Sequence, residues 1–166
     1  IIEPLRRADA ITINQSELSV FFKHNEATLR LFGGDNADAL RGLKINGIVI
    51  DEVAQIKEEL WESVCMPALS DELGWAQFIG TPSGINLFST LYYKGLQEEG
   101  WASFRYTVHD TQSIHPDEVV RLQKDMSETS FAREYLCDFT ATGDDQLLSL
   151  ADTEEAATRV YQNADV

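Results

Sequence analysis

The run Ile48-Val49-Ile50-Asp51-Glu52 constrains this chain more than any other stretch. Three consecutive β-branched residues without alternation predict a strand buried on both faces of a parallel sheet. The run ends in two adjacent carboxylates. Desolvating a carboxylate is costly, so a pair at the tip of a buried strand has a cation or a proton to manage. In open α/β sheets such tips face the ligand crevice. The same residues also fit a strand running into the acidic first turn of a helix, where the dipole favours Asp and Glu.

Around this run the chain alternates between strand and helix signals. Ile11–Asn14, Leu18–Phe22 and Thr28–Phe32 predict short strands, the last two joined by the polar turn Lys23-His24-Asn25-Glu26. Asp35 to Leu40 supplies capping residues for a short helical turn closed by Gly42. From Lys57 to Leu69, apolar Leu60, Trp61, Val64 and Cys65 fit an amphipathic helix, with Pro67 disturbing its last turn. Trp75–Ile79 predicts a second core strand, Ile85–Gln97 a helix, and Trp101–Val108 a third strand. Pro116–Met126 and Ser130–Leu136 predict two further helices. The alternation points to an α/β fold with a mostly parallel sheet. Residues from Thr142 onward read as a linker and a polar helix.

Composition limits what such a sheet can serve. At 166 residues and 43% apolar, the chain suits one domain with a real core. No apolar run approaches the roughly 20 residues needed to cross a bilayer. Cys65 and Cys137 lack CxxC or Cys/His company and read as ordinary buried thiols. The start, Ile1-Ile2-Glu3-Pro4, is neither an initiator Met nor a signal peptide and reads as an internal cut. Net charge is −15, yet residues 1–50 hold six basic and six acidic side chains, so the deficit falls on the remainder. Phosphate contacts need clustered Lys and Arg, so any DNA contact must use a local patch or other parts.

A second motif gives the acidic tip its context. Gly80-Thr81-Pro82-Ser83-Gly84 directly follows the second core strand. Thr-Pro-Ser-Gly is ordinary turn chemistry. A strand-end hydroxyl between Gly and Pro is also a small polar tip on a held backbone, able to bond a phosphate oxygen or a catalytic water. With it, Ile48 to Glu52 looks like a Walker B element: Asp51 helps hold a hydrated Mg²⁺, and Glu52 orients and polarises the attacking water.

Several short motifs together resemble large terminase subunits, the DNA-packaging motors of tailed phages and prophages. They are Leu40-Arg41-Gly42, Val49-Ile50-Asp51-Glu52, Trp61 with Pro67-Ala68-Leu69, Phe78 to Gly84, and Phe131-Ala132-Arg133-Glu134-Tyr135. The resemblance covers roughly residues 15–142 and implies a P-loop ATPase fold of the additional-strand (ASCE) type. It implies residues 1–142 as a partial ATPase domain, and 143–166 as a linker and helix leading toward an absent nuclease domain. By the same resemblance Asp51 is the magnesium carboxylate and Glu52 the catalytic one. Thr81, within Gly80-Thr81-Pro82, resembles the family's motif that couples hydrolysis to movement. Arg41, eleven positions before Glu52, stands where some terminases place an arginine finger reaching into a neighbouring subunit; a surface arginine beside a helix end fits equally. The implied cofactor is Mg²⁺ with ATP. The implied partners are double-stranded DNA, a portal protein and the small terminase subunit, in a homo-oligomeric ring in the host cytoplasm at the procapsid portal vertex, with no membrane.

The sequence departs from that family in two respects: the family's clustered nuclease acids are not found in it, Asp144-Asp145 reading as an acidic linker, and the phosphate-cradle motif is lacking. No G-x-x-x-x-G-K-[ST] occurs in it, so the Walker A cradle, its lysine and its Mg²⁺ hydroxyl are missing, and the chain alone is expected not to hydrolyse ATP. Alternatives are a DExx-type helicase or translocase fragment, a metal nuclease using Asp51, Glu52 and Asp110, and a non-catalytic prophage remnant or assembly module. Val53-Ala54-Gln55 and the acidic balance suit the helicase poorly. The nuclease would need its carboxylates to converge on metal ions, whereas Asp110 reads as a turn or cap.

Overall fold

The structure, a computed structural model, describes residues 2–35 and 37–141. They fall into two compact units, one of residues up to 48 with 56–75, the other of 49–55 with 76 onward. The predicted linker and polar helix, from Thr142 onward, lie outside the described residues.

In the first unit, α1 (Ile2–Arg7) leads into three strands, β1 (Ile11–Asn14), β2 (Ser19–Phe22) and β3 (Ala27–Arg30). They form an antiparallel sheet in the order β1-β2-β3, with Ile11 opposite Phe22 and Val20 opposite Leu29. Side chains close both hairpins. Asn14 Oδ1 accepts the Ser16 and Glu17 N–H groups, and Asn25 Oδ1 accepts that of Ala27, local bonds that suit Asn to turns. A 3₁₀ turn (Ala37–Leu40) follows, and Gly42 takes φ +77° just after it.

The predicted amphipathic helix forms, in three pieces. α2 (Glu58–Leu60) passes through a π-helical turn (Trp61–Cys65) into α3 (Met66–Ser70). Met66 N–H donates to Trp61 O, five residues back, immediately before Pro67. Pro67 cannot donate, and its ring crowds the carbonyl four residues earlier. The widened turn therefore carries the helix past Pro67 instead of ending it. Leu60, Trp61, Val64, Cys65, Ala68 and Leu69 are all buried, so the predicted apolar face is the observed one.

β4 (Gly47–Ile50) and β5 (Trp75–Phe78) form a two-stranded sheet. Trp75 N–H donates to Asn46 O at 3.2 Å and Ile79 N–H to Ile50 O at 2.9 Å, so the strands run parallel. The expectation of burial on both faces of β4 is not met. Ile50 is buried, but Val49, whose side chain points to the opposite face of the strand, is 52% exposed, so β4 is covered on one face only. Gly74 permits the approach at the start of β5: a Cβ there would lie 2.7 Å from Ile45 O.

The second unit is completed by α4 (Leu87–Gln97), α5 (Val108–Thr111), α6 (Pro116–Asp125) and α7 (Glu128–Leu136). Its core gathers Ile50, Val53, Leu87, Leu91, Val108, Phe131 and Phe139. The Phe139 ring lies 4.9 Å from that of Tyr92 and 5.5 Å from that of Phe88.

The predicted third strand, Trp101–Val108, is a correction: residues 101–107 form no strand. Alternation supplies side-chain faces, but a strand also needs a backbone partner, and this segment's contacts go elsewhere. Trp101 stacks on Phe78 at 6.2 Å beneath Lys94, Ser103 Oγ donates to Tyr92 O, and Tyr106 O accepts from Cys137 Sγ. Val108 begins α5 because Thr107 and Asp110 form a reciprocal capping box. Both cysteines are free thiols, Cys65 fully buried and Cys137 half-buried. Among the described residues no helix is long and apolar enough to cross a membrane.

Candidate active site

The acidic tip is shaped by how β4 ends. After Ile50 the chain leaves the strand at Asp51, and Glu52 adopts φ +51°, left-handed for a non-glycine residue. Glu52 N–H donates to Asp51 Oδ1 at 3.0 Å. Val53, with no exposed surface, anchors the following 3₁₀ turn (Val53–Gln55), and its N–H donates to Ile79 O at 3.1 Å. The reversal at Glu52 thus lies between two hydrogen bonds to the end of β5. It is a strand exit followed by a 3₁₀ turn, distinct from the acidic first turn of an α-helix.

Gly80 is the contact point. A Cβ there would stand 3.2 Å from Val53 N and 3.5 Å from Glu52 Cα, so only a residue without a side chain lets the two strand ends close up freely. Thr81 is half-buried, Pro82 buried, and Gly84 turns at φ +69°. Asn86 then starts α4. Its Oδ1 accepts the Phe88 and Ser89 N–H groups, while its Nδ2 donates to Ser83 O at 2.9 Å and Ala54 O at 3.4 Å.

These segments border an open cleft of about 410 Å³. Glu52, Ala54 and Gln55 line it from the end of β4, Thr81, Pro82 and Ser83 from the end of β5, and Arg133 and Glu134 from α7. Gln55 Nε2 donates to Glu52 Oε2 at 3.3 Å and so steadies that carboxylate. Asp51 is exposed at the strand end, with one oxygen taken by the Glu52 N–H and the other without a protein partner among the described residues. That fits one ligand of a hydrated Mg²⁺, which commonly takes one or two protein carboxylates and completes its shell with water and phosphate oxygens.

Of the residues singled out in the sequence, Glu52, Thr81 and Pro82 share this cleft, with Asp51 and Gly80 next to them in the chain. Arg41 is exposed, belongs to the first unit and is not among the lining residues. Asp110 is a cap: its Oδ2 accepts from Thr107 N–H at 2.8 Å and Thr107 Oγ1 at 2.6 Å, which holds its carboxyl below the usual range. Among the described residues no three His, Cys, Asp or Glu side chains gather as a metal cluster, so the convergence required by the nuclease alternative is not seen. Sequence reasoning missed Gln55, Asn86 and the placement of Arg133 and Glu134. Only Asn86 carried a local signal, an Asn three residues before a Ser at the head of an apolar helix.

The family model described as "Terminase large subunit, T4likevirus-type, N-terminal" matches residues 1–152. The chain belongs to the large terminase family. Among curated relatives, the large terminase subunit of Thermus phage G20c is 38% identical over 86 residues, 49% of this chain and 18% of the relative. That of Thermus virus P23-45 is 38% identical over 61 residues, 37% of this chain and 13% of the relative. The terminase chain described here therefore spans under a fifth of the length of either. Its fold is similar to the large terminase ATPase domain of Thermus phage P74-26, with a TM-score of 0.67, 21% identity, and coverage of 83% of this chain and 67% of that one. It is also similar to the large terminase of a thermophilic bacteriophage in complex with ADP, with a TM-score of 0.64, 23% identity, and coverage of 83% and 36%. The α/β architecture read from the sequence is thus that of terminase ATPase domains.

Proposed function

We propose that this chain is part of the ATP-hydrolysing motor that drives double-stranded DNA into procapsids. The observation that carries the reading is that Glu52 and Thr81, on different strand ends, line one cleft. In that cleft Glu52 acts as the base that orients the attacking water, steadied by Gln55. Asp51 holds Mg²⁺, which when bound neutralises charge on the phosphates. Thr81, set by Gly80 and Pro82, bonds the terminal phosphate or the water and loses that bond after hydrolysis, passing the event to the loop that Asn86 ties to α4.

Arg41 serves a neighbouring subunit's site as an arginine finger, in a homo-oligomeric ring at the procapsid portal, with the portal protein and small terminase as partners. A permanently charged, planar guanidinium suits that task. The 166 residues by themselves contain no Walker A sequence and do not turn over ATP.

The test is Glu52→Gln in the full-length terminase. The substitution keeps the shape and removes the base, so ATP binding stays near wild type while turnover falls by ~10²-fold or more. An unchanged kcat would remove Glu52 from the mechanism.

A further inference from the structure

Three charged side chains line the cleft, Glu52, Glu134 and Arg133, and only Arg133 is positive. A polyphosphate entering beside Glu52 meets two carboxylates, and like charges at close range oppose it unless a cation shares the space. Arg133 is placed to be that cation. Its side chain is 28% exposed, and its Nε donates to Glu134 Oε1 at 3.1 Å. The two Nη groups have no protein acceptor among the described residues.

A guanidinium held through Nε still presents both Nη groups in one plane, the fork that bridges two oxygens of a phosphate. The helix beneath it is fixed. Phe131 is 4% exposed and stacks on Tyr135 at 5.2 Å, and Ser127 caps the first turn by accepting the Ser130 N–H.

We propose that Arg133 is a nucleotide-binding residue of this cleft, bridging oxygens of the terminal phosphate of a nucleoside triphosphate in cis. The proposal rests on the ATPase reading above and assigns this site a triphosphate-sensing contact. Glu134 is its positioning residue, holding the guanidinium ready through Nε. When the terminal phosphate leaves, the Nη groups lose their acceptor, so α7 responds to the same event as Thr81.

The experiment is titration of the full-length protein with fluorescent analogues of ADP and of ATPγS. Arg133→Ala should weaken ATPγS binding by ~10-fold or more and ADP binding by under about 3-fold, the range expected for losing a charge-assisted contact made by one ligand only. Arg133→Lys, which keeps the charge without the fork, should fall between, and it also serves if Arg133→Ala fails to fold. Equal weakening for both nucleotides, or none in folded protein, overturns the role of Arg133. If the wild type binds neither analogue, the ATPase reading itself fails. If the wild type binds both and Glu52→Gln slows turnover while the ATPγS-to-ADP preference survives in the Arg133 variants, the ATPase reading stands and this inference alone falls.

Discussion

Glu52 sits at φ +51°, a left-handed conformation that costs an ordinary residue roughly 1–2 kcal/mol. Hydrogen bonds from Val53 N–H and Ile79 N–H on either side of the strand exit hold it there. The consequence is measurable as an order of melting temperatures. Glu52→Gly should be more stable than Glu52→Ala by about 1 kcal/mol, the reverse of the order at an ordinary site. If the alanine variant melts higher in thermal denaturation, the backbone at Glu52 is not strained.

What the sequence discloses at this scale follows from how local each feature is. The Asp-Glu pair and the Gly-Thr-Pro turn are legible because each is a short string at a strand end. Gln55 on Glu52, or Arg133 on the cleft wall, depends on how the chain folds back on itself, and nothing in either string announces it.

Among the elements, α4 depends most on one side chain. Asn86 both caps it and holds Ser83 O and Ala54 O. Asn86→Ala removes the cap and both donated bonds, and is expected to lower stability by about 1–2 kcal/mol, seen as a lower melting temperature. A melting temperature equal to wild type would show that water replaces those bonds at no cost.

Two locally bonded carboxylates, Asp110 in the cap of α5 and Asp138 in the turn after α7, contribute to the response to acid. Asp110 accepts from Thr107, and Asp138 from the Thr140 hydroxyl and N–H; these bonds hold both carboxyls below their ordinary range. A group whose folded pKa is depressed contributes stability above its unfolded pKa and loses that contribution as pH falls through the folded value. The melting temperature should therefore fall as pH drops from about 5 toward 3, and fall less in an Asp110→Asn, Asp138→Asn double variant. Identical acid limbs would assign the sensitivity to other carboxylates.

Helices and hairpins were readable because their periods and caps are written locally. The third strand was not, since Trp101–Val108 alternates correctly but its backbone and rings are engaged by α4 and Cys137. The uninterrupted passage through Pro67 was also hidden, because a π turn absorbs the missing donor.

For the whole molecule, the proposed ring gives Arg41 a test that no single-chain measurement can supply. Arg41→Ala in full-length terminase should abolish most ATP turnover in homogeneous rings. Mixing with a Glu52→Gln partner should restore part of it, because each subunit then supplies what its neighbour lacks. Failure at every mixing ratio would favour a structural role for Arg41. The family, and with it the α/β class, was legible at this scale because several short motifs read together over most of the chain, the span that the family model matches. The mostly parallel sheet was not, since among the described residues three strands pair antiparallel and only β4 and β5 run parallel.

The chain carries 28 acidic side chains, yet at the head of α4 it uses an amide. Aspartate would cap the helix equally well, but it cannot donate to Ser83 O and Ala54 O and would set a negative charge against both carbonyls. Hydrolysis of that one amide to the acid, a common chemical ageing of proteins, would leave the helix standing while unfastening the rim of the cleft. At this position chemical wear and loss of activity would therefore precede any loss of fold.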